Sequence, residues 1–358
     1  MATVVLAGGG TAGHIEPALA VARQWMKNNP SDKCIFLGTK SGLENTLVPA
    51  AGFELRLIPK VAISRTPSAS WLRIPFDLIS SVVSSIKVVR KGDVLVGFGG
   101  YVSAPAYLAA ALSRTPIVIH EANAKPGWAN RLGALFTSHL AVAHPVEQGK
   151  FSDALLAGLP LRSDVATACV ASASHWESAR TAAKARLGFP ADAPLVFIMG
   201  GSQGSLAINA VVAESVSTFN HKGISVLHSV GKLNALPPSK GGYKPVAYVD
   251  AMADAYLAAD VIIARSGAVT CSEFRALGRY ALFVPLPIGN GEQFVNAATL
   301  VADGRAEIIT QKEFTAHFIE AQIDRLLKVA AQAPINGDDQ DLDAAQKIVA
   351  LTEFAIKS

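Results

Sequence analysis

The sequence predicts an α/β protein built of two halves, each a parallel sheet covered by helices. Three observations predict it. A strand, a glycine-rich loop and a helix follow one another four times; the plan occurs in both halves of the 358 residues; and the composition is that of a packed chain. Half of the residues are hydrophobic and 17% are charged, which supplies apolar side chains for two cores and excludes a disordered chain. The length is generous for one domain and ordinary for two.

The first unit of the pattern stands at the N-terminus. Residues 3–7 are a short apolar β run, followed by Gly8-Gly9-Gly10-Thr11-Ala12-Gly13 and a helical segment over 17–26. A second strand is expected over 34–37, ending in Gly38-Thr39-Lys40. Residues 94–96 lead into Gly97-Phe98-Gly99-Gly100-Tyr101 and a helix over 104–112. In the other half, residues 195–199 lead into Gly200-Gly201-Ser202-Gln203-Gly204 and a helix over 206–217. Residues 261–264 lead into Arg265-Ser266-Gly267-Ala268 and a helix over 269–277. Strands alternating with helices make parallel sheets with right-handed crossovers. Ligands of such sheets bind at the carboxyl ends of the strands, where these loops lie. The expectation is therefore two Rossmann-like domains facing each other across a cleft.

Gly158-Leu159-Pro160-Leu161-Arg162 punctuates the chain and sets the boundary: residues 1–161 form one domain and 162–337 a second. The next stretch, 165–186, is rich in Ala and Ser and helical in character. Residues 334–341 are polar, with Pro and Gly. The last segment, 338–358, has helical spacing of apolar residues over 342–357 and is expected to pack back on the first domain.

A loop between a strand and a helix exposes several backbone N–H groups at the positive end of a helix dipole, a ready site for phosphate. Gly8, Gly10 and Gly13 also match the dinucleotide pattern G-x-G-x-x-G. That reading wants an acidic residue where the second strand ends, and Gly38-Thr39-Lys40 offers none, which counts against a nicotinamide cofactor. In the second half, Glu273 lies in the first turns of the helix after Gly267. Its position suits a ribose diol and suits the helix dipole equally. Cys34, Cys169 and Cys271 are widely spaced without C-x-x-C pairing and read as reduced thiols, neither a disulfide frame nor a zinc site.

Several of these pieces occur in one order. They are Gly9-Gly10-Thr11-Ala12-Gly13-His14 with Pro17, Gly99-Gly100-Tyr101, His120-Glu121-x-Asn123, Gly200-Gly201-Ser202-Gln203-Gly204, Arg265-Ser266-Gly267-Ala268 with Glu273, and Gln293-x-x-Asn296-Ala297. As a set, spread over residues 3–300, they resemble the MurG family of N-acetylglucosaminyl transferases of peptidoglycan synthesis. One departure is Ala12, where many relatives have Gly; alanine objects only if φ there is positive.

The resemblance implies a GT-B fold and an inverting transfer that uses neither metal nor cofactor. N-acetylglucosamine would pass from UDP-N-acetylglucosamine to the C4 hydroxyl of the muramyl sugar of lipid I, giving lipid II. It further implies that Ser202 and Arg162 meet the nucleotide diphosphate and that Val249 lies against the uracil through its backbone. Ala268, Val269, Thr270, Cys271, Ser272 and Glu273 would wrap the diphosphate and ribose, with Glu273 on the ribose hydroxyls. Gln293 and Asn296 would read the sugar hydroxyls, and Thr11, Ala12, Gly13 and Asn123 would contact the transferred sugar. The implied place is the cytoplasmic face of the cell membrane, peripherally bound, alongside other cell-wall synthesis proteins.

An inverting transfer needs a base for the attacking hydroxyl. His14 is the first choice, because at the start of a helix its cationic form is disfavoured. A role limited to positioning the acceptor by hydrogen bond remains open for it. Glu121 is the competitor, with two alternative roles: orienting His120 or buttressing its loop.

Charge is uneven. Up to Arg162, 16 Lys and Arg stand against 9 Asp and Glu; beyond it, 16 stand against 19. The basic half is thus the one expected to meet an anionic partner. Lys60, Arg65, Arg73, Lys87, Arg90 and Lys91 surround Trp71, Leu72, Ile74, Pro75, Phe76, Leu78 and Ile79. Trp71, Arg73 and Phe76 read as contacts with an anionic inner-leaflet surface, whereas residues 78–89 alone read as an ordinary amphipathic core helix. No stretch reaches the roughly 18 apolar residues of a membrane span, and the N-terminus lacks the basic start of a signal peptide. Nucleic acid is not expected, since stacking motifs are not interleaved with the basic residues. Two rivals remain: a UDP-N-acetylglucosamine epimerase of the same architecture, and a non-catalytic UDP-sugar-binding scaffold protein.

Overall fold

The computed structural model describes residues 1–61, 74–173, 175–287 and 291–358. The chain divides into two compact units, Met1–Arg162 with Gln340–Ser358, and Ser163–Asp339.

The first unit runs β1 (Thr3–Gly8), α1 (Ala12–Asn28), β2 (Lys33–Gly38), α2 (Glu44–Ala50), β3 (Glu54–Leu57), α3 (Ile74–Val89) and β4 (Val94–Gly99). It continues with α4 (Ser103–Ser113), β5 (Ile117–Glu121), α5 (Trp128–Gly133), β6 (His139–Val142) and β7 (Leu155–Leu156). These strands form one parallel sheet in the order β3-β2-β1-β4-β5-β6-β7. Val4, Val5, Leu6, Leu95 and Val96 are buried, the continuous apolar run of strands covered on both faces. The chain leaves β1 toward β2 on one side and later returns to β4 on the other. That reversal opens a crevice outside the carboxyl ends of β1 and β4. The two glycine loops of this unit both start there.

Helix α1 begins earlier than the sequence suggests. Proline at a first helical position points to a start at Pro17, yet the helix starts at Ala12 and carries Pro17 inside. The missing N–H forfeits one bond, to the Gly13 carbonyl. Burial of Ile15, Ala18, Leu19, Ala22 and Trp25 against the sheet outweighs that loss.

The second unit runs α6 (Ser163–Ser172), α7 (Trp176–Leu187), β8 (Leu195–Met199), α8 (Leu206–His221), β9 (Ser225–Ser229), β10 (Tyr243–Val246) and α9 (Met252–Ala258). Then come β11 (Val261–Ala264), α10 (Ala268–Leu277), β12 (Ala281–Phe283), α11 (Glu292–Ala302), β13 (Ala306–Ile308) and α12 (Ala316–Gln332). The sheet is again parallel, ordered β10-β9-β8-β11-β12-β13, with its reversal between β8 and β11. The helical stretch expected over 165–186 is two helices, α6 and α7. Both units are Rossmann-like, and all four glycine loops follow strands that flank a reversal.

The chain ends in α13 (Ala344–Lys357), whose Ile348, Val349 and Ala355 join the core of Val4, Leu6, Ile15 and Trp25 in the first unit. Asp341, 1% exposed, ties this return by accepting the Leu159 N–H at 2.8 Å. Among the described residues no helix is long and apolar enough to cross a membrane.

Candidate active site

In the first unit the loops after β1 and β4 meet around His14. A Cβ on Gly99 would touch the imidazole at 3.4 Å, and one on Gly100 would lie 3.2 Å from Nδ1, so only glycine lets the second loop lie flat on the ring. The imidazole Nδ1 lies 3.1 Å from Thr11 Oγ1, and the Gly9 carbonyl favours the protonated ring. With the proton on Nδ1, pointing to the Thr11 hydroxyl, the lone pair would lie on Nε2. Burial pushes the His14 pKa below its ordinary value, against the pull of Glu121, the Gly9 carbonyl and Glu44. The result is a neutral imidazole at neutral pH. Ala12 is the first residue of α1 and has no positive φ, so alanine sits there without strain.

Two buried carboxylates brace these loops. Glu44, on the first turn of α2, accepts the Gly10 N–H at 3.0 Å and the Thr39 N–H at 2.9 Å. It also accepts the Thr39 hydroxyl at 3.2 Å and the Tyr101 hydroxyl at 3.3 Å. Glu121, at the end of β5, accepts from the Asn123 N–H at 2.9 Å and amide at 3.1 Å, the Gly127 N–H at 2.9 Å and the Asn130 amide at 2.9 Å. Asn130 in turn accepts the Tyr107 hydroxyl at 2.7 Å. Glu121 therefore buttresses the loop that holds Asn123. It does not orient His120, whose Nε2 is bonded to the Gly158 carbonyl at 2.9 Å.

In the second unit the buried group behind the loops is a cation. The Arg265 guanidinium reaches the Val284 carbonyl at 2.8 Å, the Pro285 carbonyl at 2.9 Å, Ser205 Oγ at 2.8 Å and Gln311 Oε1 at 2.6 Å. Ser205 also caps α8 by accepting the Ile208 N–H, so Arg265 fixes the loop 200–204 against β12. Gly204 has φ +75, and a Cβ there would run into the Val230 carbonyl. Ser202 is half-buried in the turn of this loop.

The remaining expected residues are spread over this unit. Ala268, Val269, Cys271, Ser272 and Glu273 are buried in α10, and Thr270 is half-buried. The helix opens with its first N–H groups after Gly267, which is too small to cap them with a side chain. Glu273 is 1% exposed, and its carboxylate accepts the Tyr256 hydroxyl at 2.7 Å. Gln293 Oε1 accepts the Leu286 N–H at 2.9 Å. Oriented for hydrogen bonding, the buried Asn296 accepts the Ala268 N–H at 3.3 Å and donates to the Glu292 carbonyl at 3.3 Å. Val249 is buried. Arg162 belongs to the first unit, where it pairs with Glu16 of α1 at 3.6 Å. Asp339 and Asp341 have Asp-x-Asp spacing, but Asp341 is the buried tie to Leu159.

Trp71 and Arg73 lie outside the described residues. Phe76 is on α3, 74% exposed, and with Ile79 and Val83 it forms an outward apolar stripe. The residues that α3 buries are Ser81, Ser85 and Val89. The opposite side fits the expectation of an amphipathic core helix over 78–89: Val89 is buried in the core with Ala106 and Tyr107, and Val82, Ile86 and Val88 pack against it. The small side packs inward, where serine allows close approach to α4 and Ser85 bonds the Ser81 carbonyl.

Glu44 and Arg265 are the residues whose roles the sequence hides. Glu44 lies four residues past Lys40, beyond the point where an acidic residue is sought after β2, though its place between Gly42 and a helix start was a visible signal. Arg265 stands inside a recognisable motif, but its partners lie in distant segments.

Two family models match the chain. The glycosyltransferase family 28 N-terminal domain covers residues 4–142 and the family 28 C-terminal domain covers 195–350. The UDP-N-acetylglucosamine--N-acetylmuramyl-(pentapeptide) pyrophosphoryl-undecaprenol N-acetylglucosamine transferase of Thermobifida fusca is 42% identical, over 97% of this chain and 94% of its own. The protein of the same name from Corynebacterium glutamicum is 44% identical, over 90% of this chain and 89% of its own. The crystal structure of Acinetobacter baumannii MurG is similar with a TM-score of 0.68 at 26% identity, covering 99% of this chain and all of that one.

Proposed function

Because this chain belongs to glycosyltransferase family 28, and within it to the N-acetylmuramyl-(pentapeptide) pyrophosphoryl-undecaprenol N-acetylglucosamine transferases, we propose that it converts lipid I to lipid II. N-acetylglucosamine moves from its UDP carrier to the C4 hydroxyl of the muramyl sugar.

The observation that carries the assignment of substrates to units is the sign of the buried charge behind each loop. Behind loop 200–204 it is the Arg265 guanidinium. Behind loop 8–13 it is the Glu44 carboxylate, which already accepts the Gly10 N–H. A cation and the opening N–H groups of α10 suit a diphosphate; a carboxylate opposes one and suits neutral sugar hydroxyls. The donor diphosphate therefore goes to the second unit, with Ser202 and the N-terminal turn of α10 on its oxygens. Val249 would flank the uracil through its backbone, and Gln293 would meet a sugar hydroxyl. Glu273 would turn from Tyr256 to reach the ribose. Asn296, tied to the Ala268 N–H, serves by holding the start of α10.

In the transfer, the C4 oxygen attacks the anomeric carbon from the face opposite the phosphate. The new C–O bond forms as the bond to phosphate breaks, and UDP leaves with the electron pair. His14 Nε2 takes the hydroxyl proton. Thr11, Gly13 and Asn123, the last held by Glu121, contact the sugar. Leaving-group charge falls on the backbone N–H groups that open α10. The exposed stripe of Phe76, Ile79 and Val83, beside the basic residues of 60–91, supports peripheral attachment at an anionic cytoplasmic leaflet.

The test is incubation with labelled UDP-N-acetylglucosamine and a short-chain lipid I analogue. The expected result is label in a disaccharide-linked lipid. Donor consumption without acceptor points to an epimerase and overturns the proposal. Donor binding without any consumption points to a scaffold protein and overturns it too.

A further inference from the structure

Glu44 is fully buried, yet its two oxygens take four hydrogen bonds from three segments: Gly10 in the β1 loop, Thr39 after β2, and Tyr101 in the β4 loop. The surroundings are cut to fit it. A Cβ on Gly38 or Gly42 would collide with its side chain, and one on Gly9 would come within 3.2 Å of Oε1. Tyr101 lays its ring against Gly10, where a Cβ would meet it at 2.6 Å. This carboxylate therefore locks together the two loops that pack on the His14 imidazole.

We infer that Glu44 is a positioning residue of the transfer, holding both glycine loops around His14 and closing the first loop to phosphate. The inference rests on the function proposed above. It follows from geometry and charge together. Glu44 Oε2 occupies the Gly10 N–H, a donor that a bound phosphate would need. Its negative charge lies behind the loop and offsets the positive end of α1. A neutral hydroxyl loses nothing by this, whereas a diphosphate meets repulsion. Two carboxylates act on His14, Glu44 from α2 and Glu121 from the end of β5, and both favour its protonated form, as does the Gly9 carbonyl. Glu121, then the Gly9 carbonyl and then Glu44 thus oppose the lowering that burial imposes on the ring.

The test compares wild type with Glu44→Gln and Glu44→Asp, in the full-length protein. Glutamine has the shape of glutamate, but its NH2 cannot accept from the Gly10 or Thr39 N–H. The readouts are kcat, KM for UDP-N-acetylglucosamine, the acid limb of the pH profile, and the NMR titration of the His14 ring signal, identified by its loss in His14→Gln. In Glu44→Gln, kcat falls about tenfold or more, KM for the donor stays within about twofold because the donor occupies the other unit, and the His14 titration moves to lower pH. Glu44→Asp keeps the charge one methylene back, so its His14 titration lies between the other two. A kcat within about twofold of wild type overturns the inference. So does a loss of kcat with the His14 titration unmoved, which would make Glu44 scaffold alone. If the wild type transfers nothing but the order of the three titrations holds, the proposed function fails while the placement of Glu44 stands.

Discussion

Arg265→Lys keeps the charge and removes the fork. The native guanidinium makes four hydrogen bonds in two directions, to the Val284 and Pro285 carbonyls and to Ser205 and Gln311. One ammonium cannot span both pairs, because its donors radiate from a single atom. At least two bonds from a charged donor are lost, each worth about 1.5–3 kcal/mol when the acceptor stays buried. The total is about 3–6 kcal/mol, a large part of the 5–15 kcal/mol that holds a typical domain. For a unit of this size that lowers its Tm by roughly 6 °C or more. Ser205 also loses its anchor, so loop 200–204 loosens and KM for UDP-N-acetylglucosamine rises. The assays are thermal unfolding followed by circular dichroism and initial rates over a donor series. A Tm within about 2 °C of wild type with unchanged KM would refute the claim that this guanidinium fastens the donor loop.

Other outcomes are as direct. His14→Ala should lower turnover about 10²–10⁴-fold with UDP binding by calorimetry nearly unchanged; because the His14 pKa is lowered, the acid limb of wild-type kcat/KM lies below 6.5. Near-normal turnover would remove His14 from the mechanism. Burial holds His120 and His228 neutral, with pKa values of about 4 against 6.5 for the free side chain. The unfolded chain protonates first, so stability is full above pH 6.5 and falls as pH drops toward 4, by at most roughly 3 kcal/mol per residue. A urea midpoint equal at pH 7 and pH 5 contradicts this. Gly204→Ala forces φ +75 on alanine and a methyl into the Val230 carbonyl, a strain of roughly 1–3 kcal/mol or more, and should weaken UDP binding about tenfold; unchanged affinity by calorimetry counts against it. Trp71, Arg73 and Phe76 changed together to Ser should release the protein from anionic vesicles in co-sedimentation, and retention equal to wild type ends the membrane reading.

The sequence alone determined the class of the fold and the address of the chemistry. Short apolar runs, glycine loops and helical spacing are local signals, and they placed strands over 3–7, 94–96, 195–199 and 261–264, two of them reaching their observed ends at Met199 and Ala264 and two stopping short of Gly8 and Gly99, as well as His14 at a helix start. They misjudged what depends on neighbours. Pro17 sits inside α1 because core burial outweighs one lost bond. Strand order was also beyond local reach. Only the sheet places β4 beside β1, so that Gly99 and Gly100, some ninety residues from Gly10, flank the same imidazole. The decisive contrast is of the same kind. Glu44 and Arg265 are ordinary letters in the sequence, and each becomes the buried charge behind a loop only through partners that folding brings from distant segments. Periodicity records which face of an element is apolar; which side chain fills the space beneath a loop is settled by packing in three dimensions.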